Sequence, residues 1–232
     1  MLKVSDVVLS YGPIEVVHGV SLEVAKGQMV ALLGANGAGK STMLNAIAGL
    51  LPVKSGSIVF AGQRIDHKPS HEIFQHGVSL LPQRRELFPD MTIWEHLELG
   101  IPYDRLRDRN QLIEEVLELF PLLRERLTRL AGNLSGGERA LLAIGRALVS
   151  HPKVLLLDEP TAGLAPLIVK QVVELLQKLK DAGQTILLVE QNVKMALRIA
   201  DFVYVIGSGR VLDERKRGEF ESDSEVFRSF IN

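Results

Sequence analysis

Short apolar runs alternate with helical stripes along most of this chain. Val4-Ser5-Asp6-Val7-Val8-Leu9 and Gly19-Val20-Ser21-Leu22-Glu23-Val24 alternate imperfectly, with turn residues at Gly12-Pro13 and Lys26-Gly27, and predict two strands. Met29 to Leu33 is an apolar strand that runs into a glycine-rich loop. Ser41 to Leu50 reads as a helix closed by Leu51-Pro52, and Ser57 to Phe60 as another strand. From about Arg85 to Ser150 the period becomes helical: Ile113, Val116, Leu117 and Phe120 share a stripe, with Glu114, Glu115 and Glu118 on the wet side. After Lys153 strands and helices alternate again. Leu155 to Leu157, Thr185 to Val189 and Val203 to Ile206 read as strands, Ile168 to Leu179 and Val193 to Ala200 as helices, and Ser208-Gly209 as a hairpin turn. Continuous apolar strands alternating with helices predict an α/β fold whose mainly parallel sheet is covered on both faces.

Composition narrows this only a little. The chain has 232 residues, 46% hydrophobic and 24% charged, with a formal net charge of −1, so nothing marks it as a general nucleic-acid binder. It has no cysteine, which excludes disulfides, thiolate metal sites and a cysteine nucleophile. Its first residues lack a signal-peptide pattern, and no apolar run approaches the roughly 18 residues of a spanning helix, so a cytosolic protein is expected.

Two motifs carry chemistry. Gly34-Ala35-Asn36-Gly37-Ala38-Gly39-Lys40-Ser41 fits the phosphate-loop pattern, followed by Thr42. The glycines let backbone N–H groups turn towards phosphate oxygens, and the helix that starts there adds its positive end. Lys40 brings a mobile charge to the outer phosphates, and the Ser41 hydroxyl can ligate Mg²⁺. Val154-Leu155-Leu156-Leu157-Asp158-Glu159 is a buried strand that ends in two acids. Asp158 there would hold Mg²⁺ and Glu159 would act as general base on the attacking water.

Between these motifs lies Leu134-Ser135-Gly136-Gly137-Glu138. On its own, Ser-Gly-Gly-Glu is a helix cap and loop. In the order phosphate loop, Ser-Gly-Gly-Glu, then Leu157-Asp158-Glu159-Pro160-Thr161, the chain closely resembles the ATP-binding subunits of ABC transporters over nearly its whole length. That resemblance implies one ABC ATPase domain: a nucleotide-binding core of residues 1–84 and 151–232 with an antiparallel N-terminal β part, and an inserted helical subdomain of residues 85–150. It implies a head-to-tail dimer in which Ser135, Gly136, Gly137 and Glu138 close the partner's ATP site. Tyr11 matches the residue that stacks on adenine. Gln83 matches the glutamine that senses Mg²⁺ and the attacking water. Leu87 to Thr92 resembles the part that contacts the membrane subunits, and Gly163-Leu164-Ala165 the loop that crosses the dimer interface.

Two departures stand out. Ala165 replaces the family's usual aspartate, and Gln191 replaces the usual γ-phosphate histidine. A glutamine amide can donate one hydrogen bond but cannot become cationic, which places more of the catalysis on Glu159. The same departures, with Gly163-Leu164-Ala165-Pro166 and Val189-Glu190-Gln191-Asn192, look like the shorter ATPase of branched-chain amino acid importers, and resemble urea and amide importers as well. Arg139-Ala140-Leu141 and Pro82-Gln83-Arg84-Arg85 differ from the sequences usual in that group. The implied cofactors are ATP and Mg²⁺. The implied partners are a second ATPase subunit (a heterodimer favoured over a homodimer), two transmembrane permeases and, indirectly, a periplasmic solute-binding protein, with no nucleic acid. The implied place is the cytoplasmic face of the inner membrane, as a peripheral subunit. Alternative readings are a lipid or lipopolysaccharide exporter subunit and a soluble, non-transport ABC ATPase.

Three lesser features read as structure. His67, His71 and His76 are expected on the surface, Pro69 arguing against one regular helix through the first two. Arg105, Arg107 and Arg109, interleaved with Asp104 and Asp108, suggest a solvated turn or helix start. Asp213 to Arg217 reads as a mixed-charge tail, and Val226, Phe227 and Phe230 as one face of a short closing helix.

Overall fold

The computed structural model describes residues 1–219, so the closing helix expected around Val226, Phe227 and Phe230 lies outside the described residues. The chain opens with an antiparallel pair, β1 (Leu2–Tyr11) and β2 (Ile14–Val24). Their imperfect alternation has a physical cause. Leu2 and Val4 face the core, then Val7 and Leu9; the phase slips at Asp6, which has a φ of 49° beside a register shift between Val4 and Val7. A bulge absorbs the extra residue and keeps both halves of the strand on one face.

β3 (Met29–Leu33) leads into α1 (Lys40–Ile47), followed by β4 (Ser55–Phe60) and the two-residue β5 (Gln63–Arg64). The helix ends three residues earlier than the apolar pattern suggests, because Gly49 turns left-handed at a φ of 73°. A Cβ there would lie 2.7 Å from Ile73 Cδ1. The short α2 (Ser70–Gln75) starts just after Pro69, with His67 and His71 exposed. β6 (Val78–Leu81) follows.

From there to residue 148 the elements are helical: α3 (Ile93–Glu98), a 3₁₀ turn at Tyr103–Asp108 without a buried residue, α4 (Arg109–Leu119), α5 (Pro121–Arg124) and α6 (Gly136–Leu148). The chain then alternates through β7 (Val154–Asp158), α7 (Pro166–Asp181), β8 (Thr185–Glu190), α8 (Val193–Ile199) and β9 (Phe202–Gly207), and returns as β10 (Arg210–Lys216). Asp213 to Lys216 therefore belong to a strand rather than a charged tail. β10 pairs only with β9 among the described strands and alternates exposed with half-buried positions, so it needs no apolar run.

The strands form two sheets. The four-stranded one runs β2-β1-β4-β5 and is antiparallel, and the six-stranded one runs β10-β9-β3-β8-β7-β6 and is parallel except at β10. The large sheet is apolar on both faces. Leu155, Leu157, Ile186 and Leu188 pack towards α3, α4, α6 and α7, while Leu156, Leu187, Val189, Val30 and Leu32 pack towards α1 and the antiparallel sheet. β3, β7 and β8 thus end side by side at one edge, β3 leading straight into the glycine loop. Among the described residues no helix is long and apolar enough to cross a membrane.

Candidate nucleotide site

Steric crowding shapes the loop between β3 and α1. A Cβ on Gly34 would sit 2.3 Å from the Ile206 carbonyl oxygen, so only glycine fits. Gly39, at a φ of 102°, caps α1 in a left-handed conformation that an L side chain rarely adopts. Gly37 is left-handed as well, with open space where a side chain would be. The turn aims Lys40 back over its own loop, where Nζ donates to the carbonyls of Gly34 (3.0 Å) and Ala35 (3.1 Å).

The strand ends complete the site. Lys40 Nζ lies 3.4 Å from Glu159 Oε1, and Gln83 Nε2 donates to Glu159 Oε2 at 2.8 Å. Lys40 and Glu159 are both buried. A cavity of about 410 Å³ opens here, lined by the loop between Asn36 and Thr42 together with Val16, Gln83 and Glu159. Lys40, Ser41, Thr42, Gln83 and Glu159, identified by motif, are thus brought together. Ala38 is buried against the core beneath the loop.

Asp158 sits behind them. Its Oδ1 is buried without a hydrogen-bond partner. Burial pushes its carboxyl above the usual carboxylate range; a hydrogen bond with the Ser41 side chain opposes this, the adjacent Glu159 adds to it, and Lys40 opposes it. An orphaned carboxylate oxygen on a residue bonded to the Ser41 hydroxyl offers hard oxygen donors of the kind Mg²⁺ takes while keeping several waters. The chemistry of these residues therefore fits that ion. A protein cage of three or more His, Cys, Asp or Glu is absent among the described residues.

Other expected residues stand apart from this cavity. Tyr11 is half exposed at the end of β1, outside the lining. Gln191 is exposed just beyond β8; its backbone N–H donates to its neighbour Glu190 at 3.2 Å. Ser135, Gly136, Gly137 and Glu138 form the start of α6, outside the lining. Ser135 is the N-cap of a full capping box: Glu138 N–H donates to Ser135 Oγ (3.3 Å) and Ser135 N–H to Glu138 Oε2 (2.8 Å). Arg126 pairs with Glu138. A Cβ on Gly137 would fall 2.7 Å from Ile168 on α7, but one on Gly136 would meet nothing within 4 Å.

A second layer escapes motif reading. Arg85 Nη2 donates to the carbonyls of Glu159 (3.0 Å), Pro160 (2.7 Å) and Ala162 (3.1 Å). Glu190 is buried and accepts from Thr161 Oγ1 at 2.7 Å. Burial pushes its carboxyl above the usual range, and the hydrogen bond from the Thr161 side chain opposes that most. Further along, His96 is fully buried: its Nε2 accepts from the Phe88 N–H at 2.9 Å and its Nδ1 donates to the Thr92 carbonyl at 2.8 Å. The available signal was a charged or polar residue within or beside an apolar element, Arg85 next to Gln83 and Glu190 at the end of β8.

Comparisons with known proteins agree with this fold. The model of the family described as ABC transporter matches residues 17–162, more than half of the chain. The chain is 45% identical to the high-affinity branched-chain amino acid transport ATP-binding protein BraG of Pseudomonas aeruginosa, over 91% of each chain. Among solved structures it resembles the ADP conformation of MJ1267, an ATP-binding cassette of an ABC transporter, with a TM-score of 0.86, 30% identity, and 100% of this chain and 98% of that one covered. It also resembles the dimeric structure of MJ0796, a bacterial ABC transporter cassette, with a TM-score of 0.83, 27% identity, and 95% of this chain and 100% of that one covered.

Proposed function

This chain belongs to the ABC transporter family, as an ATP-binding subunit that hydrolyses ATP, and from that membership we propose that it is the shorter ATPase of a branched-chain amino acid importer. The observation that carries the catalytic reading is the convergence of Lys40, Gln83 and Glu159 within hydrogen-bond or ion-pair reach at one cavity, with Ser41 and Asp158 beside them.

The roles follow from chemistry. Backbone N–H groups of the Gly34–Ser41 loop and the start of α1 bind the phosphates, with Thr42 beside them, and Lys40 takes the outer ones. Ser41, Asp158 and Gln83 carry the oxygens that would hold Mg²⁺, which when bound neutralises charge between the β- and γ-phosphates. Glu159 takes the proton of the attacking water, and Gln83, already bonded to Glu159, orients that water. Gln191 offers a neutral amide to the γ-phosphate, and Tyr11 a ring to the base.

Ser135, Gly136, Gly137 and Glu138 act on the ATP of a second ATPase subunit. The open space above Gly136 supports this: among the described residues no contact requires glycine at the first position of α6, whereas close approach by a phosphate from another subunit does. A heterodimer with a longer ATPase is favoured, bound to two permeases at the cytoplasmic membrane face and fed by a periplasmic binding protein. ATP closes the dimer, hydrolysis releases it, and residues 85–150 carry the motion to the permeases through the half-exposed stretch from Leu87 to Thr92.

Purification of the transporter from its membrane tests this reading. The expected result is two permeases, a second ATPase, and ATP-driven uptake of leucine, isoleucine or valine in proteoliposomes supplied with the binding protein. Outward transport, or turnover indifferent to a loaded binding protein, would overturn it.

A further inference from the structure

We propose that Arg85 is a positioning residue for ATP hydrolysis: its guanidinium holds the backbone at Glu159 in the conformation that turns the carboxylate into the nucleotide cavity. The inference rests on the reading of Glu159 as general base.

Glu159 has a φ of 46°, a left-handed conformation that a side chain of its kind rarely adopts. Such a conformation persists only where surrounding contacts determine it. Here one nitrogen, Arg85 Nη2, reaches the carbonyls of Glu159, Pro160 and Ala162, at 3.0, 2.7 and 3.1 Å. The residue's own N–H is tied to the Val189 carbonyl at 2.9 Å. The peptide groups on both sides of the Glu159 Cα are therefore fixed, the N–H by β8 and the carbonyl by Arg85.

The side chain is gripped from the same segment. Gln83, two residues before Arg85, donates to Glu159 Oε2 at 2.8 Å. Arg85 is itself left-handed, with a φ of 43°, so two strained residues face each other and are joined through a guanidinium. Glu190 is buried and accepts the Thr161 hydroxyl at 2.7 Å, which keeps the stretch after Glu159 in place. Arg85 Nε is buried without an acceptor. A lysine also donates from a single nitrogen but on a shorter side chain, so it reproduces the contact in part.

The test compares Arg85→Ala, Arg85→Lys and Glu159→Gln in the purified transporter complex, reading kcat and KM for ATP together with the melting temperature of the full chain. Arg85→Ala should lower kcat at least tenfold with KM within twofold, and Arg85→Lys should recover a good part of the loss at the same melting temperature. Arg85→Lys alone decides the matter if the alanine variant does not fold: a kcat below wild type but above one tenth of it supports the role. Wild-type kcat in a folded Arg85→Ala variant overturns it, as does wild-type kcat in Arg85→Lys where only that variant folds, or a loss that matches the loss of folded protein. Glu159→Gln separates the two ideas: unchanged turnover in that variant means that the general-base reading has failed, whatever Arg85 does.

Discussion

Glu159 meets a lysine, a glutamine and an arginine that the chain supplies from positions 40, 83 and 85. Replacing its carboxylate by an amide keeps the shape and the Gln83 contact but removes the base. Glu159→Gln should retain ATP binding, measured with a fluorescent nucleotide, while phosphate release falls by about 10²–10⁴. Gln191→Ala should lower hydrolysis several-fold if the amide touches the γ-phosphate; wild-type rates would make the position a bystander. At this scale the sequence was informative where a motif fixes the spacing. The phosphate loop and the Asp158-Glu159 pair read directly, because backbone crowding at Gly34 and the strand end at Asp158 leave few alternatives. Arg85, Thr161 and Glu190 did not read, because their partners lie 74 to 77 residues away for Arg85 and 29 for Thr161, and no local pattern encodes such contacts.

Elements follow the same logic of local pattern against tertiary contact. β3, β7 and β8 are buried on both faces, so their apolar runs mark them plainly. β10 is an edge strand without such a run, and α2 and β6 are too short for a period to develop. The stretch from Leu87 to Thr92 illustrates what pattern misses: it is held by a buried histidine. Desolvation holds the His96 imidazole below its usual value; the bond to the Thr92 carbonyl opposes this, the nearby Arg146 adds to it and Glu95 opposes it. Because the folded form favours the neutral ring, unfolding takes up a proton at acid pH. The stability from this group is complete above about 6.5, the ordinary imidazole value, and is lost as pH falls below it. Urea denaturation at pH 7.5 and 5.5 should show a smaller loss in His96→Asn than in the wild type. At the start of α6, Ser135→Ala removes a capping box and should cost about 1 kcal/mol in the same assay.

The whole molecule was legible as a family because three motifs stand in a fixed order, and motif order survives changes in the segments between them. The neighbour relations of the large sheet were not, since β3 lies between β8 and β9, strands more than 150 residues further along the chain. Assembly is the property of this scale. With Glu159→Gln and ATP together, the closed ATPase dimer should persist through size-exclusion chromatography, and wild-type protein should return to the open form as ATP is consumed. Persistence of the dimer without nucleotide would count against closure by the γ-phosphate.

The vacant space over Gly136 also bears on how this protein responds to selection in the laboratory. Alanine fits there without strain, and it limits the unfolded chain, a gain of about 0.5 kcal/mol. A screen that rewards heat resistance alone should therefore choose Gly136→Ala early, and on the role proposed for Ser135 to Glu138 the selected protein should melt higher and hydrolyse ATP more slowly.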